Sequence, residues 1–216
     1  MKKLVIFDLD GTLLNTIKDL GVATNYALEK NGYPTHALEK YPFFVGNGVS
    51  NLIKRALPEG HKDDETIARL RVDFKAYYDA HNTDFTSIYD GIVELIAELR
   101  ERGLVLAVAS NKYEEATTKL VTHYFKNNEF NMICGQLDNF PIKPDPSIVF
   151  KIISNVGDIT KNEVLYIGDS GVDMETARRA GVESVGVSWG FRPIDELQSA
   201  GACHIVNSPD EILQYI

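Results

Sequence analysis

The stretch "FDLDGTL", Phe7 to Leu13, sets two carboxylates one residue apart directly after the apolar run Leu4-Val5-Ile6. Two like charges about 4 Å apart repel by on the order of 4 kcal/mol at an effective dielectric of about 20, so Asp8 and Asp10 together require a compensating cation. Further along, Asp169 and Asp173 lie in "GDSGVD", Ser110-Asn111 closes the run "LVLAVAS", and Lys143 sits in the proline-stiffened loop "PIKPDP". Several carboxylates without a His or Cys cluster suit a hard divalent cation, most plausibly Mg2+ keeping some of its waters. A Lys, a hydroxyl and backbone N–H groups at helix starts suit the oxygens of a phosphate. Each residue alone has a plainer use. Asp8 can be an N-cap or turn former, Ser110-Asn111 a strand terminus, Lys143 a solvated loop charge and Asp173 a partner of a helix dipole.

The elements that would carry these residues follow from periodicity. From residue 90 onward helix and strand patterns alternate: "GIVELIAELRERG" puts Ile92, Leu95, Ile96 and Leu99 on one helical face and ends on Gly103. Continuous apolar runs at "LVLAVAS", Met132-Ile133-Cys134, "EVLYIGDS" and "SVGVSW" read as strands buried on both faces. Helices are expected near Glu114–Tyr124, in "DPSIVFKIISNVG" with Ile148, Val149, Ile152 and Ile153 inward, and up to Ala180-Gly181, with a final helix, the strand "HIV" and a last helix in "PDEILQYI". This is an α/β fold, a doubly wound parallel sheet, in which ligands bind beyond the carboxyl ends of the strands. Residues 15–85 break the rhythm with helical periodicity and no convincing strand, so they read as an inserted helical lid hinged near Leu14–Thr16 and Thr83–Tyr89. Residues 1–14 and 86–216 would form the Rossmann-like core.

Taken in order and spacing, "DLDGT", Ser110, Lys143 and "GDSGVD" resemble the four motifs of the haloacid dehalogenase-like hydrolase superfamily, and the likeness runs over the whole chain. The inserted segment is similar to that superfamily's small α-helical cap. The resemblance implies that Asp8 is a nucleophile forming an aspartyl-phosphate and that Asp10 protonates the leaving oxygen and later activates water. It further implies that Ser110, Lys143, Asn111 and Thr12 bind substrate, and that Asp8, the Asp10 carbonyl and Asp169 hold Mg2+. Asp173 would orient Lys143 or a metal-bound water. "VGNG" (Val45–Gly48), "SNK" (Ser110–Lys112), "SWGF" (Ser188–Phe191) and "GACHIVNSPDEIL" are similar to phosphoglycolate phosphatases, while Asn15 stands where many relatives carry Asp. Asp10 argues against dehalogenation, whose enzymes lack it. Thr12, and a first helix of the insert without His, separate the chain from the β-phosphoglucomutase type.

The implied activity is hydrolysis of a small phosphomonoester, with a phosphosugar mutase or a phospho-accepting signalling module as the alternatives. In the insert, Gly46 and Gly48 would let backbone approach a ligand and Lys54 or Arg55 could meet a carboxylate, or the segment is a turn with a solvated helix face. Leu52, Ile53, Phe43, Phe44, Tyr77 and Tyr78 read as core of the insert. A formal net charge of −9 argues against nucleic acid as partner. No apolar stretch approaches membrane-spanning length, and Asp8 and Asp10 interrupt what would follow a signal n-region. The expectation is a cytoplasmic monomer or homodimer acting on a small phosphorylated metabolite. Cys134 and Cys203 read as reduced residues in apolar surroundings.

Overall fold

A computed structural model describes residues 1–125 and 129–216. The chain divides into two compact units, one formed by Met1–Asn15 with Ile88–Ile216 and the other by Thr16–Ser87. The two-residue strands β2 (Leu14–Asn15) and β3 (Ser87–Ile88) mark the points where the chain passes between them.

In the first unit, β1 (Leu4–Phe7), β4 (Val105–Tyr113), β5 (Met132–Gln136), β6 (Val164–Gly168), β7 (Glu183–Val187) and β8 (His204–Val206) form one sheet in the order β5-β4-β1-β6-β7-β8. Every neighbouring pair is parallel. β1 is central, and its alternate side chains feed two cores: Val5 and Phe7 pack on one face, Leu4 and Ile6 on the other. All four are fully buried, which explains an unbroken apolar run in place of polar alternation. Burial of each such side chain contributes on the order of 1.5–3 kcal/mol, so the strand that carries Asp8 is anchored from both sides. The flanking helices are α5 (Ile92–Glu101), α6 (Glu114–Tyr124), α7 (Ser147–Val156), α8 (Gly171–Ala180) and α9 (Ile194–Ser199).

Three local expectations are corrected. The run "LVLAVAS" does not end at Ser110: β4 continues to Tyr113, with an irregular register between Ala109 and Tyr113, so Ser110 and Asn111 lie inside the strand instead of capping a helix. The closing segment Pro209–Tyr215 forms a 3-10 helix in place of an α-helix. Cys134 is buried, which pushes its thiol up to about 11, but Cys203 is exposed and does not sit in apolar surroundings.

The second unit contains α1 (Ile17–Lys30), a 3-10 turn at Leu38–Lys40, α2 (Tyr41–Phe44), α3 (Gly48–Ala56) and α4 (Asp64–His81). Leu28, Tyr41, Ile53, Leu70, Phe74 and Tyr78 are fully buried and make its core. Phe43 is not core, because it is 62% exposed, and Arg55 fastens a turn by donating to the carbonyl of Phe44 at 2.8 Å and to Asn47 Oδ1 at 2.6 Å. The two ends of the unit are held by one carboxylate: Asp19, buried in α1, accepts from Phe85 N–H, from Thr86 N–H at 2.9 Å and from the Thr86 hydroxyl at 2.7 Å. Asp19→Ala would strand those donors, so an unfolding loss of about 2–4 kcal/mol is expected in urea titration. A loss under about 0.5 kcal/mol would show that the clasp does not hold the unit.

Candidate active site

Asp8 leaves the carboxyl end of β1 and Asp169 leaves that of β6, the adjacent strand. Asp173 lies in the first turn of α8, whose N-cap Ser170 accepts from the Asp173 N–H and donates its hydroxyl to Asp173 Oδ2 at 2.5 Å. Sheet order therefore brings together acids more than 160 residues apart in the chain. Carboxylate oxygens of Asp8, Asp169 and Asp173 lie within 4.8 Å of one another.

Lys143 reaches into this cluster from the loop before α7. Its ammonium donates to Asp8 Oδ1 at 2.8 Å, Asp173 Oδ1 at 2.7 Å, the Ala109 carbonyl at 2.8 Å and the Tyr166 hydroxyl at 3.1 Å. Four acceptors surround three N–H groups, so this ammonium is saturated within the cluster. Asn111 fixes the lysine's backbone: its Nδ2 donates to the Lys143 carbonyl at 3.0 Å, and the Lys143 N–H donates to its Oδ1 at 2.8 Å.

Backbone close approach completes the cluster. Gly11 has φ +89°, and a Cβ there would stand 2.1 Å from Asp169 Oδ2. A Cβ on Gly190 would meet the Asp169 Cβ at 2.2 Å. Next to Gly190, the Phe191 N–H donates to Asp169 Oδ2 at 2.7 Å, and Trp189 Nε1 donates to the Thr12 carbonyl at 3.1 Å.

Asp10 is tied to the cluster by a second lysine. Its Oδ2 lies 3.2 Å from the ammonium of Lys112, and the Lys112 N–H donates to the Ser110 hydroxyl at 3.2 Å. Of the residues expected to carry chemistry, Asp8, Lys143, Asp169, Asp173 and Asn111 thus share direct contacts or a common cluster, and Asp10 and Ser110 both meet Lys112. Thr12 is fully buried and its hydroxyl has no hydrogen-bond partner among the described residues. Lys112, Tyr166 and the Gly190-Phe191 backbone were missed. Lys112 and Gly190-Phe191 lie in the stretches "SNK" and "SWGF", which carried a resemblance but no role, and Tyr166 left a physical signal: a tyrosine within the buried run "VLYIG" needs a partner for its hydroxyl.

Electrostatics show what the cluster lacks. Burial, reinforced by Asp173 and opposed by Lys143, pushes the Asp8 carboxyl up to about 7. Burial, with Asp8 and Asp173 adding, raises Asp169 well above the usual carboxylate range, against the pull of the Phe191 N–H. Burial alone would lower Lys143, but Asp173 and Asp8 override it and hold the ammonium charged. Three crowded carboxylates around one ammonium are short of positive charge. An all-oxygen donor set fits a hard divalent cation, which Asp8 and Asp169 could hold, each having one oxygen outside the bonds to Lys143 and Phe191 described above, whereas both oxygens of Asp173 bind Lys143 and Ser170.

A doubly wound parallel sheet with a carboxylate pair at its first strand and a Lys–Asp cluster at the switch point is a Rossmann-like core with its site beyond the carboxyl ends of the strands. Residues 5–187 match the haloacid dehalogenase-like hydrolase family, and the chain belongs to it. It is 36% identical over 205 residues to a phosphoglycolate phosphatase of Pseudomonas syringae pv. tomato, covering 91% of this chain and 74% of that protein. It is 34% identical to the phosphoglycolate phosphatase of Cereibacter sphaeroides, covering 91% of each. A crystal structure from Lactobacillus delbrueckii subsp. bulgaricus, of a candidate phosphoglycolate phosphatase, superposes with a TM-score of 0.91 at 33% identity, covering 98% of this chain and 97% of the other. No described helix is long and apolar enough to cross a membrane.

Proposed function

We propose that the protein is a Mg2+-dependent phosphomonoester hydrolase working through an aspartyl-phosphate, with 2-phosphoglycolate as its ester. The observation that carries the reading is the Lys143 ammonium held between Asp8 and Asp173 with Asp169 alongside. A bound divalent cation would supply positive charge at the phosphoryl oxygens, which a carboxylate attacking a phosphate dianion requires.

In the first half-reaction an Asp8 oxygen bonds to phosphorus while the bond from phosphorus to the ester oxygen breaks. Asp10 gives that oxygen its proton, so the alcohol leaves neutral. In the second, Asp10 takes a proton from water, whose oxygen bonds to phosphorus as the bond to Asp8 breaks. Free phosphate and the starting carboxylate result. Ser110 and Lys143 hold phosphoryl oxygens, the ammonium exchanging one of its four acceptors for the phosphate, while Asn111 keeps Lys143 in place through its backbone and Asp173 orients the ammonium. The Thr16–Ser87 unit takes the part of the lid. The relatives' names support 2-phosphoglycolate. The reading carries with it a cytoplasmic enzyme, a monomer or homodimer, that handles a small phosphorylated metabolite.

The test is phosphate release from a panel of metabolite esters with Mg2+ and with EDTA. Chelation is expected to lower turnover at least ~100-fold, with Mg2+ restoring it, because several kcal/mol of charge stabilisation are removed. Turnover indifferent to EDTA, or isomer formation from a sugar phosphate without phosphate release, would overturn it.

A further inference from the structure

The site contains two buried lysines, and only one of them has a part in the reading above. Lys143 is saturated by four acceptors within the cluster. Lys112 has a side chain only 4% exposed, at 3.2 Å from Asp10 Oδ2. Lysine is almost never buried to this degree unless its charge is paired, and this one is paired with Asp10. The exposure of the two pairs places them differently. Lys143 and Asp173 are 2% and 1% exposed, whereas Lys112 and Asp10 are 4% and 13% exposed.

Resting on the reading that Asp10 serves the ester oxygen, we infer that Lys112 is the cation that recognises an acidic leaving group. An ammonium beside the residue that protonates the leaving oxygen lies on the leaving-group side of phosphorus, opposite the attacking Asp8. A carboxylate one carbon beyond the ester oxygen comes within reach of that ammonium when the oxygen faces Asp10. The Lys112 N–H donates to the Ser110 hydroxyl at 3.2 Å, which would keep the two anion contacts in register, the Ser110 hydroxyl for the phosphoryl group and the Lys112 ammonium for the tail. Selection for phosphate esters of 2-hydroxy acids therefore lies in the first unit itself, on β4.

The experiment compares two inert phosphonates in the presence of Mg2+. 3-Phosphonopropionate carries the carboxylate, and propylphosphonate is its uncharged-tail counterpart. Calorimetric titration of the intact protein is expected to show a preference of about 10- to 100-fold for the acid, the size of one charge-assisted hydrogen bond. Lys112→Met should reduce that preference to within about threefold, and Lys112→Arg should restore most of it. In turnover, Lys112→Met should lower kcat/KM for 2-phosphoglycolate at least ~10-fold more than for propyl phosphate, the loss appearing in KM. Equal losses on both esters, or a preference that survives Lys112→Met, would overturn the assignment and leave the hydrolase reading intact. Wild-type protein that binds neither phosphonate would sink both.

Discussion

Asp8→Asn is expected to reduce phosphate release by ~10⁴-fold or more, because the amide cannot form the bond to phosphorus through which both half-reactions pass. The same change is expected to stabilise the metal-free protein above neutral pH. Burial pushes the folded-state carboxyl from 3.8 up to about 7, so between those values the folded chain holds a proton that the unfolded chain has released. The stability this group contributes is fully present below pH 3.8 and is lost as pH rises through about 7. Asparagine stays neutral throughout. The variant's advantage should be near zero at pH 4, grow toward pH 7 and level off above it. A full shift of this size corresponds to at most about 4 kcal/mol, and relaxation of neighbours brings the expected gain to about 2 kcal/mol, roughly 5 °C in Tm for a chain of this length. Calorimetric scans in EDTA at pH 4 and pH 8 would read it. Adding Mg2+ should stabilise wild type more than the variant and narrow the gap, since the ion binds the ionised carboxylate. An Asp8→Asn protein equally stable or less stable at pH 8, or one still releasing phosphate within tenfold of wild type, would contradict the role given to this residue.

The sheet was legible because β1 and its neighbours are buried on both faces, and two-sided burial writes an unbroken apolar run into the sequence. The bounds of α6, Glu114–Tyr124, follow from local periodicity in the same way. The carboxylates were legible for a different reason: an acid at the end of such a run has few structural uses, and Asp8, Asp10 and Asp169 all stand there. What could not be read is set by contacts far apart in the chain. That Lys112 meets Asp10 depends on β4 lying beside β1 and on an irregular register after Ala109, which no local pattern encodes. The Tyr166 hydroxyl and the Phe191 N–H entered the site through the same pairing of distant segments. Phe43 and Cys203 were misplaced because hydrophobicity alone does not say which positions of a short helix or loop face inward.

Lys143→Met is expected to damage stability more than any other single change at the site, and to damage catalysis as well. Methionine matches the stem in volume but removes the one ammonium between Asp8 and Asp173, leaving two buried carboxylates without their cation and the Tyr166 hydroxyl and Ala109 carbonyl without a donor. Breaking one partner out of a buried ion pair costs about 3–5 kcal/mol, against the small or absent cost of replacing the whole cluster by apolar groups. The loss should depend on pH with a definite sign. With Lys143 gone, its lowering influence on Asp8 is gone too, so that carboxyl rises further above about 7 and the folded chain retains its proton to higher pH. The destabilisation is therefore expected to be largest at pH 8 and to shrink toward pH 5, where the protonated acid no longer needs a cation. Lys143→Arg should not rescue, because a planar fork cannot reproduce four bonds converging on one nitrogen. Urea titrations at pH 5 and pH 8, with phosphate release measured alongside, decide the matter. Turnover should fall at least ~10³-fold through loss of charge stabilisation at the phosphoryl oxygens. A stability loss of the same size at both pH values would mean that Lys143 acts by packing alone and that the acids around it are compensated in some other way.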